Sequence, residues 1–167
     1  APGALTGILG FQVTSEEQDA YLLSHREQVA GPMWALRLAL ASGGITVNLG
    51  GGFHHALADR GQGFCVFNDV AVALADRRAA GLTAPVLVID LDLHDGDGTR
   101  QIFASDSSVH TFSIHNRHLA SPEAIASTSI ALGDGVEDAT YLGTLRRALP
   151  AVLEEVRPRV AVYLAGC

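Results

Sequence analysis

Several features that mark particular classes of protein are missing from this sequence. Cysteine is scarce, and the two cysteines, Cys65 and Cys167, cannot form a disulfide framework, so a reducing, cytoplasmic compartment is expected. No apolar stretch approaches the roughly 20 residues that a membrane-spanning helix needs. The first residues show neither the basic start nor the apolar core of a signal peptide. We therefore expect neither membrane spanning nor secretion.

Clustered positive charge is also lacking. The 167 residues include 11 lysines plus arginines against 18 aspartates plus glutamates, which gives a net charge of −7. Without a basic run, direct binding to nucleic-acid phosphates is not expected, whereas a basic peptide or a polyamine remains compatible as a partner. Because 48% of the residues are hydrophobic, the chain can bury a core, and residues 1–167 are predicted to form a single domain.

Methionine is scarce as well. Residue 1 is alanine, and the only methionine is Met33. Val160 to Leu164 has the apolar pattern of a strand, and only three residues follow it. These three residues lie where a parallel sheet would begin an active-site loop. These features predict that the sequence is part of a longer protein. Removal of an initiator methionine is the alternative explanation for the alanine at position 1.

Apolar periodicity predicts alternating helices and strands. Helices are predicted over Gln28 to Leu40, Asn68 to Arg78, Thr99 to Ala104 and Asp138 to Val156, with a kink or a division at Pro150. Strands are predicted over Ile45 to Leu49, Val86 to Asp92, Val109 to Ile114 and Val160 to Leu164, the last as a central strand. This alternation predicts an α/β fold with a parallel sheet.

The first motif with chemical potential is Gly50-Gly51-Gly52-Phe53-His54-His55, at the end of a predicted strand. Glycines allow a close approach of the backbone, and adjacent histidines can accept and return protons. A nucleotide-binding loop is one alternative, but the spacing matches neither the dinucleotide fingerprint nor the phosphate loop. Purely structural histidines are the other alternative.

The second motif is Asp90-Leu91-Asp92-Leu93-His94-Asp95-Gly96-Asp97, which follows a short apolar run. Side chains alternate along a strand, so Asp90, Asp92 and His94 are predicted to project from one face at its carboxyl end. Carboxylate and imidazole groups one residue apart suit zinc or a similar first-row divalent cation. An EF-hand calcium loop does not fit, because its required glycine and glutamate are missing.

Together these motifs resemble the zinc-dependent histone deacetylases, a superfamily with acetylpolyamine amidohydrolases and acetoin-utilisation proteins among its members. The resemblance rests on residues 51–56, Gly63-Phe64-Cys65, Asn68-Asp69 and residues 90–98. It implies an arginase-like, deacetylase-like three-layer α/β fold with a mainly parallel sheet. Asp59-Arg60-Gly61, Asn116-Arg117-His118 and Gly135-Val136-Glu137-Asp138 are most similar to the class IV branch.

The resemblance also implies a metal site and a set of proton-transfer groups. Asp92 and His94 are expected to bind Zn²⁺, or another divalent metal such as Fe²⁺. The expected catalytic residues are His54, His55, Asp90 and Asp97. The two histidines would face the metal-bound water, with Asp90 behind His54 and Asp97 behind His55. A carboxylate behind each ring fixes its tautomer and raises its basicity.

Two further sites follow from the same resemblance. Gly63 and Phe64 are expected to line a narrow tunnel for the acyl-lysine side chain, with core packing as the alternative for Phe64. A structural monovalent cation, K⁺, is expected at Asp90, Asp92, His94, Ser113 and Ile114. Cys65 is expected to be a buried structural cysteine rather than a nucleophile.

The sequence departs from the family pattern at two places. Asp95 stands where many relatives have histidine, from which we expect only a local electrostatic change. The family's third zinc ligand is an aspartate in an Ala-Gly-x-Asp segment, and Ala165-Gly166-Cys167 stops immediately before it. The family's glycine-rich loop and catalytic tyrosine come later still. Since catalytic zinc normally has three protein ligands, the isolated chain is expected to be inactive.

The functional prediction is therefore a hydrolase that acts as part of a longer parent protein. Metal-activated water would remove an acetyl or longer acyl group from a lysine or polyamine nitrogen. The expected partners are acylated lysine peptides or proteins and acetylated polyamines, and the oligomeric state is left open. The alternative is a noncatalytic metal-binding or acyl-ligand-binding protein with a degenerate deacetylase scaffold.

Overall fold

A computed structural model describes residues 3–121 and 123–166. The helices in these residues are α1 (Ala4–Leu9), α2 (Gln18–Ser42), α3 (Asp69–Ala79), α4 (Asp97–Ile102) and α5 (Asp138–Val156). The strands are β1 (Val86–Asp90), β2 (Val109–His115), β3 (Ser127–Ala131) and β4 (Val160–Leu164). The chain divides into two compact units, one up to Leu82 and one from Thr83 onward. Cys167 lies outside the described residues.

The second unit is built on a parallel sheet in the order β3-β2-β1-β4. All five residues of β1 are buried, as expected for a strand with a neighbour on each side and an almost wholly apolar sequence. One core cluster joins the sheet to α5, and its buried members are Leu87, Ile89, Phe112, Ile114 and Val152. The predicted α/β fold with a parallel sheet is confirmed.

The first unit is helical. Asn68 caps α3 through its side-chain Oδ1, which accepts a hydrogen bond from the Ala71 N–H at 2.9 Å. Arg37 of α2 pairs with Asp76 of α3, with Nη2 at 2.7 Å from Oδ1 and Nε at 3.2 Å from Oδ2. The Asn68 cap fixes the start of α3, which supports one of the two loops described below, and the ion pair ties the later part of α3 to α2.

Most of the predicted helices are confirmed with shifted ends. Helix α2 begins at Gln18 rather than at Gln28, and it runs through Pro32. Helix α5 is a single helix that includes Pro150, so the predicted division there is wrong. A proline inside a helix removes one backbone donor, and the apolar face that α5 packs against the sheet keeps the helix continuous. None of the described helices has both the length and the apolar character needed to cross a bilayer.

The strand predicted at Ile45 to Leu49 is wrong. These residues have no assigned strand structure, and Ile45, Val47 and Leu49 are 95%, 78% and 99% exposed. The apolar sequence favours a strand, but a strand also needs a hydrogen-bonding neighbour. In the described part of the chain, no strand pairs with residues 45–49.

The edges of the sheet also differ from the prediction. Strand β3 was not predicted, because its Ser-Thr-Ser sequence is half-buried and lacks a strong apolar signal. Strand β4 has the predicted bounds, but it lies at an edge of the described four-stranded sheet rather than at its centre. Tyr163 is accordingly 62% exposed.

Candidate active site

The second predicted motif begins where β1 ends. Strand β1 stops at Asp90, so Asp92 and His94 lie in the following loop, residues 91–96, which we call the acidic loop. The prediction that strand alternation alone aligns these side chains is therefore wrong. Asp92 is half-buried and His94 is exposed.

Two side-chain-to-backbone hydrogen bonds shape the acidic loop. Asp90 Oδ1 accepts the Asp92 N–H at 3.1 Å, and Asp92 Oδ1 accepts the His94 N–H at 2.7 Å. Aspartate commonly forms such turns with the backbone two residues further on. The turn brings His94 Nδ1 to 3.1 Å from Asp92 Oδ1. The two predicted metal ligands therefore share one location.

Neighbouring strands anchor both ends of this turn. The Leu91 N–H donates to the Leu164 carbonyl at 3.1 Å, and the Asn116 N–H donates to the Leu93 carbonyl at 2.9 Å. Gly166 lies directly against Asp92, since a Cβ added to Gly166 would be 2.6 Å from Asp92 Oδ2. Its φ of 71° is also one that glycine adopts readily. The segment after β4 thus reaches the predicted metal ligand.

A buried ion pair holds the far end of the acidic loop. Asp95 accepts hydrogen bonds from both terminal nitrogens of Arg100, with Nη2 at 2.7 Å from Oδ2, and from the Leu119 N–H at 3.1 Å. Burial by itself raises the pKa of Asp95, but the Arg100 and Leu119 donors outweigh it and hold the pKa below its ordinary value. Asp95 therefore has a larger role than the predicted local electrostatic change.

The sequence interpretation missed Arg100 altogether. Arg100 is 2% exposed, and it also donates to the Ser121 carbonyl and to Ser129 Oγ, each at 3.2 Å. A single signal was available, because Asp95 and Arg100 have opposite charges five residues apart. That spacing does not by itself indicate burial, which depends on the loop and strand that enclose the pair.

The predicted cation-site residues are only partly brought together. Ser113 pairs in register with Asp90 across β1 and β2, and both residues line a cavity of about 10 Å³, about the space of one water-sized particle. Ile114, the residue of β2 that follows Ser113, is also buried. Asp97 is buried in the first turn of α4.

A cleft of about 220 Å³ opens beside Asp92. Most of its lining is apolar, and it includes Leu93, Ile114, Leu132 and Tyr141. The cleft thus places an apolar surface next to a predicted metal ligand, an arrangement suited to a substrate with an apolar group.

The first motif forms a second loop, residues 50–55, which we call the histidine loop. Gly51 and Gly52 have φ angles of 96° and 82°, which favour glycine. His54 and His55 are buried, and their ring centroids are 4.1 Å apart at an interplanar angle of 48°. The loop therefore presents two adjacent imidazoles that are largely withdrawn from solvent.

Asp69, at the start of α3, holds the histidine loop. Its Oδ2 accepts the Gly52 N–H and its Oδ1 accepts the Phe53 N–H, both at 2.8 Å. Burial raises the pKa of Asp69, although these backbone donors oppose the change. The adjacent Asn68 donates from Nδ2 to the Ala56 carbonyl at 3.1 Å. Sequence reasoning used Asn68-Asp69 only as part of a resemblance and missed this anchoring role.

The predicted tunnel residues lie beside His55. A Cβ added to Gly63 would be 2.6 Å from His55 Cδ2, so Gly63 packs against the imidazole. Phe64 is 68% exposed. The alternative prediction, that Phe64 packs in the core, is therefore wrong. Cys65 is buried, as predicted, and its Sγ donates to the Gly63 carbonyl at 3.3 Å.

Within each unit the structure groups part of the predicted site. The first unit brings His54 together with His55, and the second brings Asp92 together with His94. The pairings of Asp90 with His54 and of Asp97 with His55 stay predictions.

Comparison with known proteins identifies the family. A family model described as the histone deacetylase domain matches residues 15–167. The chain belongs to the histone deacetylase family. Its match to the uncharacterized protein of a Picosynechococcus strain is 38% identical over 139 residues, or 83% of this chain and 46% of that protein. Histone deacetylase 2 of Arabidopsis thaliana is 31% identical over 153 residues, or 89% and 39% of the two chains.

A solved structure shows the same fold. A histone deacetylase homologue from Aquifex aeolicus matches with a TM-score of 0.72 and 28% sequence identity, over 81% of this chain and 40% of that chain. The family assignment and the deacetylase-like fold are thus confirmed, and the class IV placement stays a prediction. The chain spans less than half the length of these relatives.

Proposed function

We propose that this chain carries part of the active site of a zinc-dependent amidohydrolase. The reaction is removal of an acetyl or longer acyl group from a lysine side chain of a peptide or protein, or from a polyamine nitrogen. Family membership supports the deacylase class. The net charge of −7 is compatible with substrates that are positively charged elsewhere.

The observation that carries the proposal is the geometry of the acidic loop. Asp92 Oδ1 and His94 Nδ1 lie 3.1 Å apart. Oxygen and nitrogen ligands of zinc lie about 2.0–2.2 Å from the metal, so two ligands of one tetrahedral ion are typically about 3.3–3.6 Å apart, slightly more than the spacing of these two atoms. The two donors therefore fit a shared zinc ion, or another divalent ion such as Fe²⁺.

When bound, such an ion acidifies a water ligand and polarises an amide carbonyl. In this proposal His54 and His55 accept a proton from the attacking water and return it to the leaving amine. Their burial keeps competing solvent away, and Asp69 holds the backbone that carries them. Asp90 and Asp97 are proposed to orient the two rings.

The substrate is proposed to enter past Gly63 and Phe64. Gly63 packs directly against His55, where a larger side chain would clash with the imidazole, and the exposed Phe64 ring offers an apolar wall for an aliphatic side chain. The cleft beside Asp92 supplies an apolar lining for acyl groups longer than acetyl. A K⁺ ion is proposed near Asp90 and Ser113, which share a small cavity.

A noncatalytic metal-binding or acyl-ligand-binding protein is the second candidate. It is the function that remains if no third ligand joins Asp92 and His94, because catalytic zinc normally has three protein ligands. In the main proposal, an aspartate that follows Cys167 in a longer protein supplies the third ligand. Gly166 lies against Asp92, which supports an approach from that direction.

The first test measures zinc binding by the 167-residue chain, with equilibrium dialysis and metal analysis. Replacing Asp92 and His94 by alanine is expected to reduce the number of bound zinc ions by one. Asp59→Ala is the matched control, because its side chain is 74% exposed and pairs with the neighbouring Arg60. Equal zinc binding by the double variant and the control would contradict the proposed metal site.

The second test separates the two candidate functions. The coding region beyond Cys167 is sequenced, and the natural full-length protein is assayed for acyl release from acyl-lysine peptides and acetylated polyamines. Turnover that requires zinc and is lost in His55→Ala supports the hydrolase. Tight binding of acyl-lysine without turnover supports the noncatalytic candidate. The 167-residue chain alone is expected to bind zinc weakly and to release no acyl group.

A further inference from the structure

A second group of possible metal ligands lies in the same unit as the acidic loop. Asp95, His115 and His118 each offer one ligand atom, and these atoms all lie within 4.8 Å of one another. Asp95 and His115 are buried, whereas His118 is exposed. The proposed hydrolase chemistry uses none of these three side chains.

The spacing of the histidine nitrogens suits a shared metal ion. His115 Nε2 lies 3.1 Å from His118 Nδ1. Two imidazole nitrogens bound to one tetrahedral zinc ion at about 2.0–2.1 Å are typically about 3.3–3.4 Å apart, slightly more than this spacing. Asp95 Oδ1 lies 3.7 Å from His115 Nδ1, and one ligand atom from each of the three side chains lies within 4.8 Å of the other two. Because Arg100 holds the buried Asp95, a movement of the exposed His118 would complete a site of two imidazoles and one carboxylate.

Surrounding groups already orient these ligands. Ser113 Oγ lies 2.8 Å from His115 Nδ1, so that Nε2 is the nitrogen directed towards His118. Arg100 holds the Asp95 carboxylate through two hydrogen bonds. Partners of this kind fix ring orientation and ligand position in metal sites. His118 lies at the surface and provides an entry for the ion.

The charge balance limits which ions could bind. Arg100 neutralises the Asp95 carboxylate, so little net negative charge attracts a cation. Hard cations such as Ca²⁺ and Mg²⁺ prefer several oxygen ligands and are disfavoured here. Imidazole nitrogens suit Zn²⁺, Ni²⁺ and Cu²⁺. The affinity is expected to be lower than that of a site with an unpaired carboxylate.

From these contacts we propose that Asp95, His115 and His118 form a second binding site for a transition-metal ion, separate from the Asp92 and His94 pair. The proposal does not depend on the hydrolase function, because it concerns binding of the ion alone.

The test uses the full 167-residue chain with Asp92 and His94 replaced by alanine, so that the first proposed site is removed. Zinc binding is measured by isothermal titration, and the effect of His118→Ala is compared with that of Arg117→Ala. Both changes remove an exposed side chain from the same loop. His118→Ala is expected to weaken zinc binding by about tenfold or more, while Arg117→Ala leaves it unchanged. Millimolar Ca²⁺ is expected not to compete.

A second measurement covers the case in which the double replacement prevents folding. Zinc is then added to the otherwise unchanged chain, and the ring nitrogen resonances of His115 and His118 are followed by NMR. Saturable shifts of both rings that disappear in His118→Ala support the site. Zinc binding that is indifferent to His118, or the absence of shifts at millimolar zinc, overturns the proposal and leaves a direct hydrogen bond between the two histidines.

Discussion

Two buried carboxylates anchor the histidine loop and the acidic loop, each within its own unit, and their partners differ. Asp69 holds the histidine loop through the backbone N–H groups of Gly52 and Phe53. Asp95 holds the acidic loop mainly through the guanidinium of Arg100. Both carboxylate residues have zero exposure, yet burial raises the pKa of Asp69, whereas the pKa of Asp95 is lowered despite burial.

The difference in pKa reflects the countercharge at Asp95 together with the deeper packing around Asp69. Backbone dipoles satisfy the hydrogen-bonding capacity of Asp69 but leave its charge uncompensated, so desolvation dominates. The arginine supplies hydrogen bonds and the opposite charge together, which outweighs desolvation at Asp95. Each loop therefore has a distinct sensitivity to substitution and pH.

The largest effect is expected from Arg100→Met. This change leaves the Asp95 carboxylate buried without its countercharge, and we expect a loss of about 3–5 kcal/mol in the free energy of unfolding. Urea unfolding followed by circular dichroism measures the loss. The double variant Asp95→Leu with Arg100→Met removes both charges and should recover much of the stability. A single variant as stable as the wild type would mean that the ion pair does not anchor the loop.

A smaller effect is expected from Asp69→Asn. The amide can accept from one of the two backbone N–H groups, but its own NH₂ group then faces the other donor. We expect a loss of about 1–3 kcal/mol in the free energy of unfolding at neutral pH. Faster hydrogen exchange at Gly52 and Phe53 would locate the effect in the histidine loop. Unchanged exchange at both amides would argue against the anchoring role.

The pH dependence of this same variant tests the raised pKa of Asp69. The folded protein binds the Asp69 proton more tightly than the unfolded chain, so this contribution to stability is complete below the ordinary pKa of 3.8 and is lost as the pH rises through the raised value. The stability difference between wild type and Asp69→Asn should therefore be largest at acid pH and shrink as the pH rises. A stability difference that grows as the pH rises would mean that the pKa of Asp69 is lowered rather than raised.

The smallest effect is expected from Arg37→Met, which breaks the pair with Asp76. This pair matches that of Asp95 and Arg100 in having two hydrogen bonds, but its side chains are 35% and 22% exposed. Solvent can rehydrate the remaining carboxylate, and Arg77 still donates to Asp76 Oδ2 from Nε at 2.7 Å, so the loss of stability should be much smaller than for Arg100→Met. The same urea titration gives the comparison. Equal losses would indicate that burial does not control the strength of these pairs.

Local sequence patterns predicted the elements whose signal and surroundings agree. Helix α5 has the predicted bounds, and β1, β2 and α3 end within two residues of prediction. The strand predicted at Ile45 to Leu49 was wrong because an apolar composition does not supply a pairing partner. Strand β3 was missed for the converse reason, since pairing with β2 makes a strand of a weakly apolar sequence.

The sequence by itself determined the family, the parallel α/β pattern and the residue types able to bind a metal and move protons. These depend on local order, such as the spacing of Asp92 and His94 and the adjacency of His54 and His55. Tertiary structure alone decided that Asp69 and Asp95 anchor the loops and that His115 approaches His118. Burial and countercharge arise from residues that the fold brings together, and the sequence pattern does not contain those distances.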